Sequence, residues 1–174
     1  MAEREVIVDH ARLTYEGLFS VPEFYKAIDT WLREKGYDKM EKKNVESVTP
    51  TGKYIELELL PWKKTTDYAK NVIKLRIIMS DVKDVEVKKD DIKVKLNSGK
   101  IQIVSDAYLE TDYEHRWEGK PAFFFLRTIF DKYFFKPYTK GYQGNLLKDY
   151  NDLIGNIKSF LNLYRYSAGR AQTA

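Results

Sequence analysis

The sequence contains no cysteine, which excludes disulfides, thiolate nucleophiles and any zinc or iron–sulfur centre built on cysteine. That absence suits a reducing compartment, and a cytoplasmic location is expected. Histidine occurs only at His10 and His115, with no spacing of the H-x-x-x-H kind, so no metal site is predicted. Glutamine is confined to Gln102, Gln143 and Gln172 in a chain that is 32% charged, a bias resembling that of thermophile proteins. The longest apolar run, 121–135, is broken by Arg127, Asp131 and Lys132, so no membrane span is expected. The opening MAEREVIVDH carries acids early and lacks the apolar centre of a secretion signal. Phosphate-loop, nucleophile-elbow and dinucleotide-binding motifs are missing, and Gly141-Tyr-Gln-Gly144 is too short to replace one.

What is present suits one α+β domain over residues 1–174. The chain is 43% hydrophobic and 14% aromatic, enough to fill a single core. Between Glu5 and Phe19, Leu13, Tyr15, Gly17 and Phe19 alternate with Arg12, Thr14 and Glu16, which predicts a first strand. Ser20-Val-Pro-Glu23 reads as a capping box opening a helix on Phe24, Ile28, Trp31 and Leu32, with Gly36 as its stop. From Tyr37 to Thr111 the period becomes two and turn residues recur, the pattern of an antiparallel meander of short strands. Ile55, Leu57 and Leu59 mark one strand and Ile73, Leu75, Ile77 and Met79 the next. Val85 and Val87 mark a short third strand, followed by Ile92, Val94 and Leu96 after an Asp90-Asp91 turn. Asn97-Ser-Gly99 reads as a hairpin turn into a last strand carrying Ile101 and Ile103.

Residues 122–135 read as a buried helix ended by Lys136-Pro137. Leu146, Tyr150, Leu153, Ile157 and Leu161 predict a second, amphipathic C-terminal helix, with Gly155 marking a close helix contact. Residues 167–174 are expected to be a disordered tail. The predicted architecture is an antiparallel curved sheet of about six strands, one helix after strand one, and two C-terminal helices packed on one face.

The order strand, helix, antiparallel strands and long C-terminal helix, over roughly residues 5 to 165, resembles the helix-grip proteins of the START and polyketide-cyclase type. The resemblance implies a curved sheet wrapped around the last helix and an apolar ligand cavity between them. It departs from the family in having one helix after strand one, where two are usual, and two at the C-terminal end.

Three surfaces are candidates for function. Tyr15, Phe19, Trp31, Phe124 and Tyr150 are expected to line an apolar ligand pocket, the competing reading being ordinary core packing. Lys74, Arg76, Lys93, Lys95 and Lys100 are expected to share the sheet face opposite the core as a nucleic-acid-binding patch. Residues 35 to 100 hold sixteen basic against eleven acidic residues, although Glu56 and Glu58 dilute the patch and a solvated face is the competing reading. Trp117, Phe134, Phe135, Tyr138 and Tyr142 are expected to form an aromatic patch covered either by the C-terminal helix or by another chain, the latter making it the interface of a homodimer or of a protein partner.

Glu110, Asp112, Glu114 and His115 crowd one segment, but such a run at a strand end suits a solvated loop and gives no catalytic constellation. The resulting expectation is a binding or interaction protein with no cofactor and no membrane partner, leaning away from an enzyme. An RNA- or ribosome-associated factor is the alternative.

Overall fold

The computed structural model describes residues 3–66, 69–89, 92–111 and 136–171. In chain order the elements are β1 (Glu3–Phe19), α1 (Val21–Lys35), β2 (Glu41–Thr49), β3 (Gly52–Leu59), β4 (Trp62–Lys64), β5 (Ala69–Lys89), β6 (Ile92–Thr111) and α2 (Lys136–Ala171). The architecture is α+β. Every strand pairing is antiparallel, in the order β1-β6-β5-β3-β2, and β4 continues the line of β3 along the same edge of β5.

α1 forms where its caps dictate. Ser20 is extended and its Oγ accepts the Glu23 N–H at 3.4 Å, Pro22 occupies a first-turn position that needs no donor, and Gly36 closes the helix at φ 71°. Phe24, Ile28, Trp31 and Leu32, at helical spacing, all enter the core. The Glu23 carboxylate accepts the Tyr164 hydroxyl, tying the start of α1 to α2.

The sheet's inner face is built in rows. Leu13, Ile103, Ile77 and Leu57 stand side by side across β1, β6, β5 and β3. The last three are buried, with Leu59, Ile73, Leu75, Met79 and Ile101 in the neighbouring rows. Burying each such side chain stabilises the fold by roughly 1.5–3 kcal/mol. α2 packs against β1, β5, β6 and α1 through Leu146, Tyr150, Leu153, Ile157 and Leu161. Across α1 and α2, Trp31 Nε1 donates to Asp152 at 2.9 Å, and Lys35 pairs with the same carboxylate at 2.9 Å.

The long strands and α2 correct the sequence-based segmentation. Residues 69–89 form one strand where two were expected, and 92–111 form one strand running straight through Asn97-Ser-Gly99, which is therefore no hairpin turn. The six strands include β2, a segment too polar for any apolar face to announce it. The expected helix at 122–135 lies outside the described residues. Lys136 and Pro137, expected to end a helix, are the first described residues of α2. α2 runs on to Ala171 and so takes in residues 167–171 of the expected tail. Among the described residues a side chain at Gly155 would meet nothing within 4 Å.

β5 also carries a bulge. Ser80 pairs with Lys100 but Lys83 with Ser98, so Asp81-Val82 contributes one residue more than β6 opposite it. Asp81 takes φ 55° and Val82 is buried. Two glycines leave room for the bulge. A Cβ on Gly99 would lie 2.9 Å from the Ser80 carbonyl oxygen, and one on Gly52, at φ 151°, would lie 2.8 Å from the Asp81 carbonyl carbon.

Candidate binding surfaces

Beyond the bulge the two faces of the sheet exchange character. β6 keeps its alternation without a break, so Asn97, Lys95 and Lys93 follow Ile101 and Ile103 onto the helix side. Asn97 proves the direction: its Oδ1 accepts the Val21 N–H of α1 at 3.0 Å while its Nδ2 donates to Asp84 at 2.8 Å. The extra residue in β5 puts Asp84 and Glu86 on that same side, and Val85–Leu96 and Val87–Val94 form cross-strand pairs on the other. Among the described residues, past Val82 in β5 and before Asn97 in β6 the two strands pair only with each other, as a two-stranded ribbon.

The five cations expected on one face therefore divide. Lys74, Arg76 and Lys100 stand on the face away from the helices, Lys93 and Lys95 on the face toward them. Arg76 donates to Glu56 at 3.0 Å, Lys74 lies 3.3 Å from Glu58, and Lys93 lies 3.9 Å from Glu86. Glu56 also accepts from Lys43 at 2.7 Å, and these hydrogen bonds hold its carboxyl below the ordinary carboxylate value. Lys95 and Lys100 carry no ion pair among the described residues. The difference from expectation has a local cause: apolar residues fall on even positions from Ile92 to Leu96 and on odd positions from Ile101, and only a continuous strand turns that change into a change of face.

Of the residues expected to line an internal pocket, Phe19, Trp31 and Tyr150 are core residues and Tyr15 packs edge-on against Phe19. Their polar atoms are satisfied within the protein. The Tyr15 hydroxyl donates to the Leu18 carbonyl at 2.7 Å, and the Tyr150 hydroxyl bonds the Ser105 Oγ at 2.8 Å. Phe124 lies outside the described residues, as do Trp117, Phe134 and Phe135 of the expected aromatic interface. Tyr138 and Tyr142 fall in the first turns of α2, where Tyr142 is half-buried.

A concavity does exist, elsewhere. It is an open trough of about 580 Å³ between the start of α1, the turn end of β2 and β3, and the helix side of the ribbon. Val21, Pro22, Ile55 and Val82 supply apolar surface, and Glu46, Lys53, Glu86 and Lys95 stand around it. Lys53 lies 3.7 Å from Glu46, which leaves Lys95 as the lining cation without an ion pair among the described residues. The N–H groups of α1 that face the trough are already capped by Asn97 and Ser20, so the helix start is not itself an anion site.

No family model, curated protein or solved structure matches this chain. Among the described residues no helix is long and apolar enough to cross a membrane. The geometry alone therefore carries the functional argument.

Two polar clusters escaped the sequence reading. Bulging of β1 at Asp9-His10 brings His10, at φ 48°, against Asp106, with the His10 backbone N–H donating to Asp106 at 2.7 Å and its Nδ1 lying 2.5 Å from Asp9. The Asp9 hydrogen bond, then the Asp106 charge, raises the His10 pKa above the ordinary value. Adjacent Asp and His in a strand were the only signal, since Asp106 is 96 residues away. At the opposite end of α1, the Tyr37 hydroxyl donates to Asp149 at 3.1 Å, and burial followed by the Asp149 charge pushes the phenol pKa upward. Of the acidic run at the end of the last strand, Glu110 is held by Lys70 at 3.2 Å and Arg4 at 3.8 Å, while Asp112, Glu114 and His115 lie outside the described residues.

Proposed function

We propose that this is a non-enzymatic binding protein whose ligand is an amphipathic small molecule, apolar in body and anionic at one end, received in the trough beside α1. The observation that carries the reading is the trough itself: about 580 Å³, apolar walls from Val21, Pro22, Ile55 and Val82, and a lysine, Lys95, without an ion pair among the described residues. Small-molecule sites typically occupy roughly 300–1,000 Å³ and combine apolar walls with a few placed polar groups. The helix-grip resemblance points the same way, because α2 lies across β1, β6 and β5 on the sheet's inner face. In this reading the ligand sits at the open end of that face, beside rather than among the core residues Phe19, Trp31 and Tyr150.

The test is titration with a naphthalene sulfonate dye and a straight-chain fatty acid, read by fluorescence, alongside a neutral alcohol of equal chain length. Saturable binding of the anionic probes that weakens about tenfold in Lys95→Glu, with the alcohol unaffected, is the expected result. Wild-type protein that binds none of them would remove the proposal. Retention on RNA that fades with salt and with Lys74→Glu and Arg76→Glu would favour the nucleic-acid reading in its place.

A further inference from the structure

We infer that Asp9, His10 and Asp106 form a binding site for one divalent transition-metal ion of the zinc class, built on the bulge of β1. Successive side chains of a regular strand point to opposite faces, so adjacent residues such as Asp9 and His10 ordinarily diverge. Here β1 pairs Val8 with Ala107 and Ala11 with Ser105, which leaves both residues against the single β6 residue Asp106. His10 takes φ 48° and its backbone N–H donates to Asp106 Oδ1 at 2.7 Å, so the bulge is pinned from the side of β6. The donors meet only in the fold, because Asp106 lies 96 residues from His10.

The donor set suits the ion. An imidazole nitrogen and two carboxylate oxygens are ordinary zinc ligands, and three protein donors leave a fourth position for water. Bonds of about 2.0–2.1 Å at tetrahedral angles set neighbouring donors about 3.3 Å apart. His10 Nδ1 stands 3.3 Å from Asp106 Oδ1, already at that separation. It stands 2.5 Å from Asp9 Oδ1, and one donor atom from each of the three residues lies within 4.8 Å of the others. The side chains of Asp9 and His10 are exposed, so a small rotation of either widens the short contact when an ion replaces the hydrogen bond.

Charge supplies the attraction. Among the described residues neither carboxylate pairs with a lysine or arginine, and His10 is their one basic partner. Lys74, directly across from Asp106 in β5, pairs with Glu58 instead. The Asp106 side chain is 19% exposed, so its charge is largely withdrawn from water without a permanent cation beside it. With His10 neutral the three side chains carry two negative charges, and with His10 protonated they still carry one. The His10 pKa is raised, first by the Asp9 hydrogen bond and then by the Asp106 charge, with Arg12 opposing. The cluster thus already draws positive charge to the nitrogen that would hold the metal.

The experiment is calorimetric titration of the untagged, chelator-stripped full-length chain with zinc chloride, repeated with cobalt(II) and read by visible absorption. Wild type is expected to take up one zinc per chain in the micromolar range and to give the intense bands of four-coordinate cobalt. His10→Asn removes the imidazole but tolerates the positive φ, and Asp106→Asn keeps an acceptor for the His10 N–H, so both preserve the bulge. Each is expected to weaken zinc binding at least about tenfold, with circular dichroism unchanged. His115→Ala, at the chain's other histidine, is expected to bind as wild type does. A wild type that takes up no zinc at millimolar concentration overturns the inference, as does undiminished binding in His10→Asn or binding lost in His115→Ala.

Discussion

The helix-covered half of the sheet and its open half share two strands, β5 and β6, yet they treat their inner surfaces in opposite ways. In the covered half the inner row runs Leu57, Ile77 and Ile103, closed over by α1 and α2. In the open half the inner row runs Asp84 and Asn97, then Glu86 and Lys95, while the valines of the ribbon turn outward. One additional residue, in the Asp81-Val82 bulge, separates the two regimes. A strand's alternation is rigid, so an inserted residue re-aims everything that follows it. The consequence is that a core ends and a polar-rimmed trough begins without any new element being added.

The sharpest way to break this comparison is to remove mass from each half. Ile77→Ala leaves a cavity under α2 and is expected to cost about 2–5 kcal/mol, whereas Val94→Ala on the ribbon is expected to cost about 0.5 kcal/mol or less. Urea unfolding of the two variants measures both, and equal losses would mean that the ribbon is as tightly supported as the core.

The bulge itself is tested by its glycines. Gly99→Ala forces a Cβ to within 2.9 Å of the Ser80 carbonyl oxygen and is expected to cost about 1–3 kcal/mol. Gly155→Ala, in open space on α2, is expected to stabilise by about 0.5–1 kcal/mol. Opposite signs in thermal unfolding would distinguish a glycine required by close backbone approach from one that only weakens a helix.

Asn97 is the joint between the halves, because it caps α1 and holds Asp84. Asn97→Ala is expected to lose about 1 kcal/mol of stability and to increase hydrogen exchange in the first turn of α1 more than in α2. Uniform exchange changes across both helices would deny it that local role.

The smallest effects concern pH, and they differ in sign between two exposed clusters. The Asp152 pKa is lowered, first by Lys35 and then by Trp31, so its contribution is present above the unfolded carboxylate value and lost as pH falls through the folded one. The His10 pKa is raised, first by the hydrogen bond to Asp9, so its contribution is complete below the ordinary value of 6.5 and lost as pH rises through the raised one. Asp152→Asn should therefore narrow its stability gap to wild type on the acid side, and His10→Ala on the alkaline side. Melting temperatures across the pH range check both directions.

Much of this arrangement was legible in short stretches of sequence. Ser20, Pro22, Glu23 and Gly36 bounded α1 because capping is a contract between residues only a few positions apart. Leu13 to Phe19, Ile55 to Leu59 and Ile73 to Met79 announced their inner faces by alternation alone. Asn97-Ser-Gly99 misled, because residues that tolerate tight turns also serve where a strand must pass close to other backbone and cap a distant helix. The internal pocket was not legible for a related reason: aromatic spacing is the same whether rings surround a space or fill it, and only contacts, such as Tyr150 with Ser105, say where a ring sits.

By itself, then, the amino-acid order determined which stretches alternate, where α1 starts and stops, and that no cysteine chemistry is available. Tertiary structure alone decided that β6 runs unbroken through Asn97, that the Asp81-Val82 bulge fits against Gly52 and Gly99, and hence which side of the sheet each lysine occupies. The reason is physical: alternation is a property of neighbours along the chain, whereas its phase relative to the core is set by hydrogen-bond register with strands far away in sequence.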